Sequence, residues 1–542
     1  MDRSSDESTL GQGAESSPLL STTGNAMTKS IPSYGGHKHG TRDSSIESWD
    51  RPIEETFHDD LHDHNEIDVL DDVQIPDYVT TGDLTSGFSL RKFFLYTGPG
   101  WLMSIAYLDP GNLESDLQAG SVAGMQLLWL LLWSHVFGFL LQVLAARLGV
   151  VTRKHLAQLI RRHYPRPVAL AIWFCTECAI IGADIQEIIG TAIALQLLFK
   201  LPLYAGVLIT SVDTFTFMLI SRYGMRKLEA LFMVFIATMA ICFWIDMIAS
   251  RPDIKDIFWG ILIPNVPPNS TVQASGMLGA VIMPHNMFLH SALVMSRHLG
   301  ERPSKEKVKE ANFYFGLESA VALFFSYLIN LAIVVCFATV FYSPDMELAS
   351  LPGLADAAAV LSRTLGPAAR YLFAFGLLAA GQSSTMTGTL AGQYLIEGFF
   401  GNIFKKAWHR IAISRSIALV PAMLVAVLAV EKFDTMGEML NVLQSICLPT
   451  TLLPILKLTN SEKIMSKGFK NNHFLAISAW ILCVLIVALN MYLLVDFFEE
   501  LATAWQGVAI TFGISYLVFV FYLCWYSPDG FEDIAQELDD DL

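Results

Sequence analysis

Charge is what this chain has least of, and the shortage is regional. Of 542 residues only 16% are Asp, Glu, Lys or Arg, against roughly 25% in soluble domains. The depleted stretch runs from about residue 91 to 526, where apolar segments recur. Cysteine is sparse too, and all seven (Cys175, Cys178, Cys242, Cys336, Cys447, Cys483 and Cys524) fall in or beside apolar segments. That placement argues against a disulfide framework and predicts packed free thiols. The first 90 residues lack any long apolar run, so no signal peptide is visible and the first membrane helix is expected to direct insertion.

What is present is apolar. Hydrophobic residues make up 53% of the chain and the mean hydropathy is +0.46, which predicts a helical membrane protein. The net charge of −16 divides unevenly: residues 1–90 carry −13 and residues 526–542 carry −7, leaving +4 on the segment between. Acidity therefore belongs to the tails, and nucleic acid is excluded as a partner. Three regions follow: a disordered acidic cytosolic tail over 1–90, without the apolar content to pack; a transmembrane transporter domain over 91–526; and an acidic cytosolic tail over 527–542.

Twelve apolar spans are expected, at 92–119, 122–149, 168–197, 201–221, 228–250, 273–297, 312–342, 367–398, 412–430, 437–457, 473–495 and 504–526. Each is long enough for a hydrocarbon core of ~30 Å. With the N-terminus inside, all five inner connections are basic, for example Arg153-Lys154, Arg226-Lys227 and Lys405-Lys406. The outer ones are acidic or near neutral, so count and sidedness agree and both tails are placed in the cytosol. The connection after the fifth span faces outward and carries Asn269-Ser270-Thr271, a glycosylation sequon that is either used or idle.

Two helix-breaking tetrads interrupt this pattern: Asp109-Pro110-Gly111-Asn112 and Met283-Pro284-His285-Asn286. At membrane depth a broken helix survives only where it lines a polar cavity or site. Paired breaks in the two halves of a polytopic chain point to a transporter's binding site. They fall in spans 1 and 6, as two inverted five-helix repeats require. Asp109 is an acid in an apolar span, which by itself suggests function. Asn112 adds an amide oxygen and Met283 a thioether. The carbonyl of Ala280 lies one turn before Pro284, which cannot supply its hydrogen-bond donor. Hard cations such as Ca²⁺ and Mg²⁺ favour all-oxygen cages, whereas sulfur shifts preference toward Mn²⁺, Fe²⁺, Co²⁺ and Cd²⁺.

These tetrads sit in longer runs, Asp109 to Gly120 (DPGNLESDLQAG) and Gly279 to Ser291 (GAVIMPHNMFLHS), followed by Gly381 to Gly388 (GQSSTMTG). With them the chain resembles the Nramp family, the natural resistance-associated macrophage proteins, and in particular its animal-type divalent metal transporters, over about residues 90–526. The resemblance implies an all-α fold like that of the amino-acid/sodium symporters, with broken helices 1 and 6, alternating access, and proton-coupled import of Mn²⁺ or Fe²⁺. It implies that Asp109, Asn112, Met283 and the Ala280 carbonyl bind metal, with Asn441 joining in an occluded state and Gln382 lining the path. Cys447-Leu448-Pro449 stands where the family often has Gln-Leu-Pro, outside the core motifs.

For protons, Glu177, Asp184 and Glu187 are spaced by seven and three, so they share one face of span 3. Three acids on one membrane-helix face suggest a relay, with Arg415 as counter-charge, and the resemblance places the proton path here. The alternative is a static ion-pair cluster. His285 and His290 titrate in a useful range. In the N-terminal tail, Glu15, Leu19 and Leu20 match an acidic dileucine signal for sorting adaptors, which would address the protein to endosomes, lysosomes or a vacuole rather than the plasma membrane. His58, His62 and His64 among acids read as a solvated patch, and the Cys175–Cys178 pair as packing. No cofactor beyond transported metal and protons is expected, and no enzyme chemistry. Two rivals stand beside this reading. A metal-responsive receptor would want a large domain after span 12. A sodium-coupled organic-solute symporter would set Asp109 against its substrate's carboxylate. Transport of Mg²⁺ or Al³⁺ would fit better without Met283.

Overall fold

The structure is a computed structural model that describes residues 73–75, 88–210, 212, 225–268, 270–300, 303–343, 352–401, 416–424, 427, 433–466, 468–500 and 503–528. These are almost wholly helical. In chain order the helices are α1 Leu90–Tyr96, α2 Pro99–Ile105, α3 Pro110–Ala123, α4 Leu128–Thr152, α5 Leu156–His163, α6 Arg166–Phe199, α7 Met225–Ser250, α8 Ile254–Leu262, α9 Thr271–Val281, α10 Pro284–Leu293, α11 Lys305–Phe341, α12 Leu354–Thr364, α13 Pro367–Phe400, α14 Phe433–Asn460, α15 Glu462–Met465, α16 His473–Glu500 and α17 Thr503–Trp525. Residues 203–210 and 416–424 are helical as well. Two short strands, β1 Val73–Gln74 and β2 Arg297–His298, pair in parallel.

Every one of the twelve expected spans contains helix. Among the described residues, seven stretches are long and apolar enough to cross a membrane, Thr271–Ser296 with its break included. Several of them turn large apolar side chains outward, such as Ile241, Ile248 and Val484, and so does α17 with Phe521 and Trp525, which suits a lipid-facing exterior. The cysteines are unpaired, four of them buried.

Span 1 is interrupted twice. α1 ends at Thr97-Gly98, a break the spacing did not predict, and α2 ends at Ala106. The later break follows from local chemistry. Proline at the first helical position needs no N–H partner, and the residue before it is held in extended backbone. Asp109 (φ −78°, ψ 169°) and Met283 (φ −72°, ψ 133°) are those residues, each starting a new helix at Pro110 or Pro284.

The buried apolar residues form two clusters. One joins α4, α9, the first half of α6, and α14, α16 and α17. The other joins α2, the second half of α6, α7, α12 and α13. α11 contributes to both, running past the first break. Close approach there needs glycine: a Cβ at Gly190 of α6 would collide with the Pro110 ring.

Candidate functional site

The two breaks meet. Asp109 caps α3, its Oδ1 accepting from Asn112 N at 2.8 Å and from Asn112 Nδ2 at 2.6 Å. The same Nδ2 donates across to Ala280 O at 3.0 Å, so residues 168 apart in sequence share one amide. Ala280 is the carbonyl that Pro284 leaves without its helical donor. Asn112 takes up that carbonyl, which keeps a second lone pair. Asp109, Asn112, Ala280 and Met283 are all at most 2% exposed. Among the described residues, no donor reaches Asp109 Oδ2 or Asn112 Oδ1. Buried acceptors without donors are costly, and two of them belong to Asp109 and Asn112, the residues that join the two breaks through Ala280 O.

Other freed carbonyls of the first break are satisfied by α11. Ser326 Oγ donates to Ser104 O at 3.0 Å, and Asn330 Nδ2 to Tyr107 O at 2.8 Å. Asn330 Nδ2 also lies 3.3 Å from His135 Nε2 on α4. Polar side chains of a neighbouring helix thus replace the missing ladder, the condition for unwound backbone in lipid.

Asn441 lies against the break from α14, its Nδ2 donating to Gly111 O at 3.2 Å. Its Oδ1 accepts from Gln186 Nε2 of α6 at 2.9 Å, and that amide also reaches Gly437 O at 2.9 Å. The oxygen expected to face the metal position is therefore held by Gln186 here. About one turn earlier on α14, Glu438 accepts from Gln273 of α9 at 2.6 Å.

Asp184 and Glu187 flank Gln186 and come together: a Cβ at Gly388 of α13 would lie 3.1 Å from an Asp184 oxygen and 3.2 Å from a Glu187 oxygen. Ser384 Oγ donates to Glu187 Oε1 at 2.5 Å. Glu177 is buried on the same helix, its Oε2 without a donor among the described residues. His285 and His290 are buried on α10, and His290 Nε2 lies 3.5 Å from Ser319 Oγ. Gln382 lies on α13. Arg415, Asn269, Glu15, Leu19 and Leu20 fall outside the described residues.

Sequence reasoning passed over several buried acids. Glu318 of α11 is fully buried, and its Oε1 accepts from Gly98 N at 2.5 Å, Gly100 N at 3.0 Å and Trp101 N at 3.3 Å. A remote carboxylate thus satisfies the first turn of α2. Beside it Arg297 donates from Nη2 to Glu229 Oε1 at 2.5 Å and to Thr97 O at 2.7 Å. Glu114 and Asp116 are buried on α3, and both Asp116 oxygens lack donors among the described residues. All five acids, Glu229 and Glu438 included, sit inside expected apolar spans. The rule that singled out Asp109 would have found them had it been applied to every span.

A polytopic helical bundle whose two broken helices meet at buried, unpartnered acceptors has the architecture of a secondary transporter. Comparisons with known proteins narrow the class. A family model described as "Nramp: Natural resistance-associated macrophage protein-like" matches residues 100–496. The chain is 51% identical to the metal transporter nramp1 homolog of Dictyostelium discoideum over 421 residues, 77% of this chain and 78% of that one. It is 47% identical to natural resistance-associated macrophage protein 2 of Mus musculus over 468 residues, 81% and 82% of the two chains. The crystal structure of a mutant Eremococcus coleocola manganese transporter superposes with a TM-score of 0.73 at 29% identity, covering 84% of this chain and 97% of that one. The chain belongs to the Nramp family of metal transporters. It is a multi-pass membrane transporter, not an enzyme.

Proposed function

We propose that this protein imports divalent transition metals into the cytosol, Mn²⁺ and Fe²⁺ above all and Co²⁺ and Cd²⁺ as well, with protons as the driving ions. The reading is carried by the pair of buried acceptors at the junction of the breaks, Asp109 Oδ2 and Asn112 Oδ1, which no donor reaches among the described residues. A dication supplies the positive charge both lack. With the Ala280 carbonyl and the Met283 thioether the donor set mixes oxygen with sulfur, which favours transition metals over Ca²⁺ and Mg²⁺. The manganese transporter of similar fold supports the same choice of cargo. In this reading Asn441 joins the metal once Gln186 releases its oxygen.

Protons take a separate course. Gln186 touches the break, and its neighbours Asp184 and Glu187 face α13. Glu177 lies ten residues before Glu187, ~15 Å along the helix axis, toward the end of the molecule where α2 begins. His285 or Asp109 receives the proton beside the metal, and the three carboxylates hand it on, with Arg415 as counter-charge. Basic connections set that end in the cytosol, together with both tails. Asn269 would then face outward for glycosylation. The Glu15, Leu19 and Leu20 signal would route the protein to an endosomal, lysosomal or vacuolar membrane, with the plasma membrane as the destination if adaptors ignore it.

The test is Mn²⁺ uptake into proteoliposomes under an inward proton gradient. Asp109→Ala should abolish it while the protein stays folded. Undiminished uptake would remove Asp109 from the site and the reading with it.

A further inference from the structure

We propose that residues 73–75 of the N-terminal tail form a strap that locks the cytosolic end of the transporter closed, so that the tail restrains transport until it is released. The proposal rests on the alternating-access reading above. β1 lies in parallel beside β2, with Val73 opposite Arg297 and Gln74 opposite His298. Ile75 N–H then donates to His298 O at 3.0 Å. On the other side Lys307 Nζ, at the start of α11, donates to Ile75 O at 3.2 Å. The Ile75 side chain is 4% exposed and packs into the first apolar cluster. Both backbone groups of Ile75 and its side chain are therefore engaged. This is strand addition, in which main-chain bonds hold an extended segment and one pocket fixes its register.

The strap's position gives it leverage. β2 begins at Arg297, whose backbone pairs with the strap while its guanidinium holds Glu229 of α7 and the Thr97 carbonyl ahead of α2. Gly98, at φ +148°, has no room for a Cβ against that Arg297–Glu229 pair. Opening the cytosolic end requires α2 to leave Glu318 and Thr97 to leave Arg297. The strap grips two bodies at once, β2 as the continuation of α10 and Lys307 as the first turn of α11. By tying the Arg297 backbone to Lys307, the strap holds that guanidinium against the Thr97 carbonyl and so resists the release of α2. Competition for this segment from a binding partner, or new charge placed beside Ile75, would favour the open end.

The experiment uses the full chain and reads amide hydrogen exchange over residues 98–105, which reports release of α2 without needing any transport. Ile75→Asp removes the apolar anchor, and Lys307→Met removes the second anchor while keeping the aliphatic stem. Each should speed exchange over 98–105 about tenfold, the ratio set by ~1.4 kcal/mol, with α4 and α16 unchanged. A rise confined to 98–105 in either variant supports the strap. Wild-type exchange in both overturns it. Mn²⁺ uptake by the unaltered protein, measured in parallel, tests the transport reading separately: its absence would sink that reading while the exchange data still decide whether the strap holds α2.

Discussion

Glu318 offers the sharpest energetic test. Its Oε1 accepts three backbone N–H groups from the first turn of α2, at 2.5, 3.0 and 3.3 Å. Glu318→Ala leaves those three donors buried and without a partner. At ~1 kcal/mol or more for each unsatisfied buried donor, the loss is about 3 kcal/mol before relaxation. The three bonds share one oxygen and so do not add independently. Glu318→Gln keeps an acceptor of the same length and loses only the charge. Hydrogen bonds to an ionised group contribute roughly twice as much as neutral ones, so this change should cost about 1–2 kcal/mol. Glu318→Asp is one methylene short and should fall between. Exchange of the Gly98, Gly100 and Trp101 amides reads the ladder directly: about 5- to 30-fold faster in the Gln variant and more than about 100-fold in the Ala variant. If these amides exchange at the wild-type rate in Glu318→Ala, the carboxylate does not cap α2, and the account of the closed cytosolic end fails.

Met283→Ala should preserve Mn²⁺ uptake but let Ca²⁺ compete about tenfold better, as loss of ~1.4 kcal/mol of soft-ligand preference would give; competition that matches wild type would count against sulfur as a selector. Glu187→Gln should weaken metal-driven acidification of proteoliposomes more than it weakens Mn²⁺ binding, and wild-type proton flux would reject the relay. Gly190→Ala forces a methyl group onto the Pro110 ring, an overpacking that should cost about 1–3 kcal/mol and lower Tm; an unchanged Tm would mean that α6 and α3 are not packed as described.

The parts legible in the sequence were those whose cause is local. Proline cannot donate, whatever surrounds it, so Pro110 and Pro284 announce breaks and leave Ala280 O in need of a donor. Asp109 stands out because an acid in an apolar span is costly anywhere. The period of α6 puts Asp184 and Glu187 on one face, and both do meet α13. Asn441 shows the limit: proximity to the break was foreseeable from family likeness, but its oxygen being held by Gln186 was not, since nothing within a few residues of either position signals the other.

The sequence by itself determined that this is a membrane-embedded helical transporter, that helices break ahead of Pro110 and Pro284, and which donors lie at those two breaks. Tertiary structure alone decided that Asn112 would bridge to Ala280, that Glu318 would cap a helix more than two hundred residues away, that Arg297 would join Glu229, and that β1 would lie against β2. The reason is range. Backbone sterics, capping and periodicity act within a turn or two of the chain, whereas the choice among several buried acids and amides is made by which helices pack side by side.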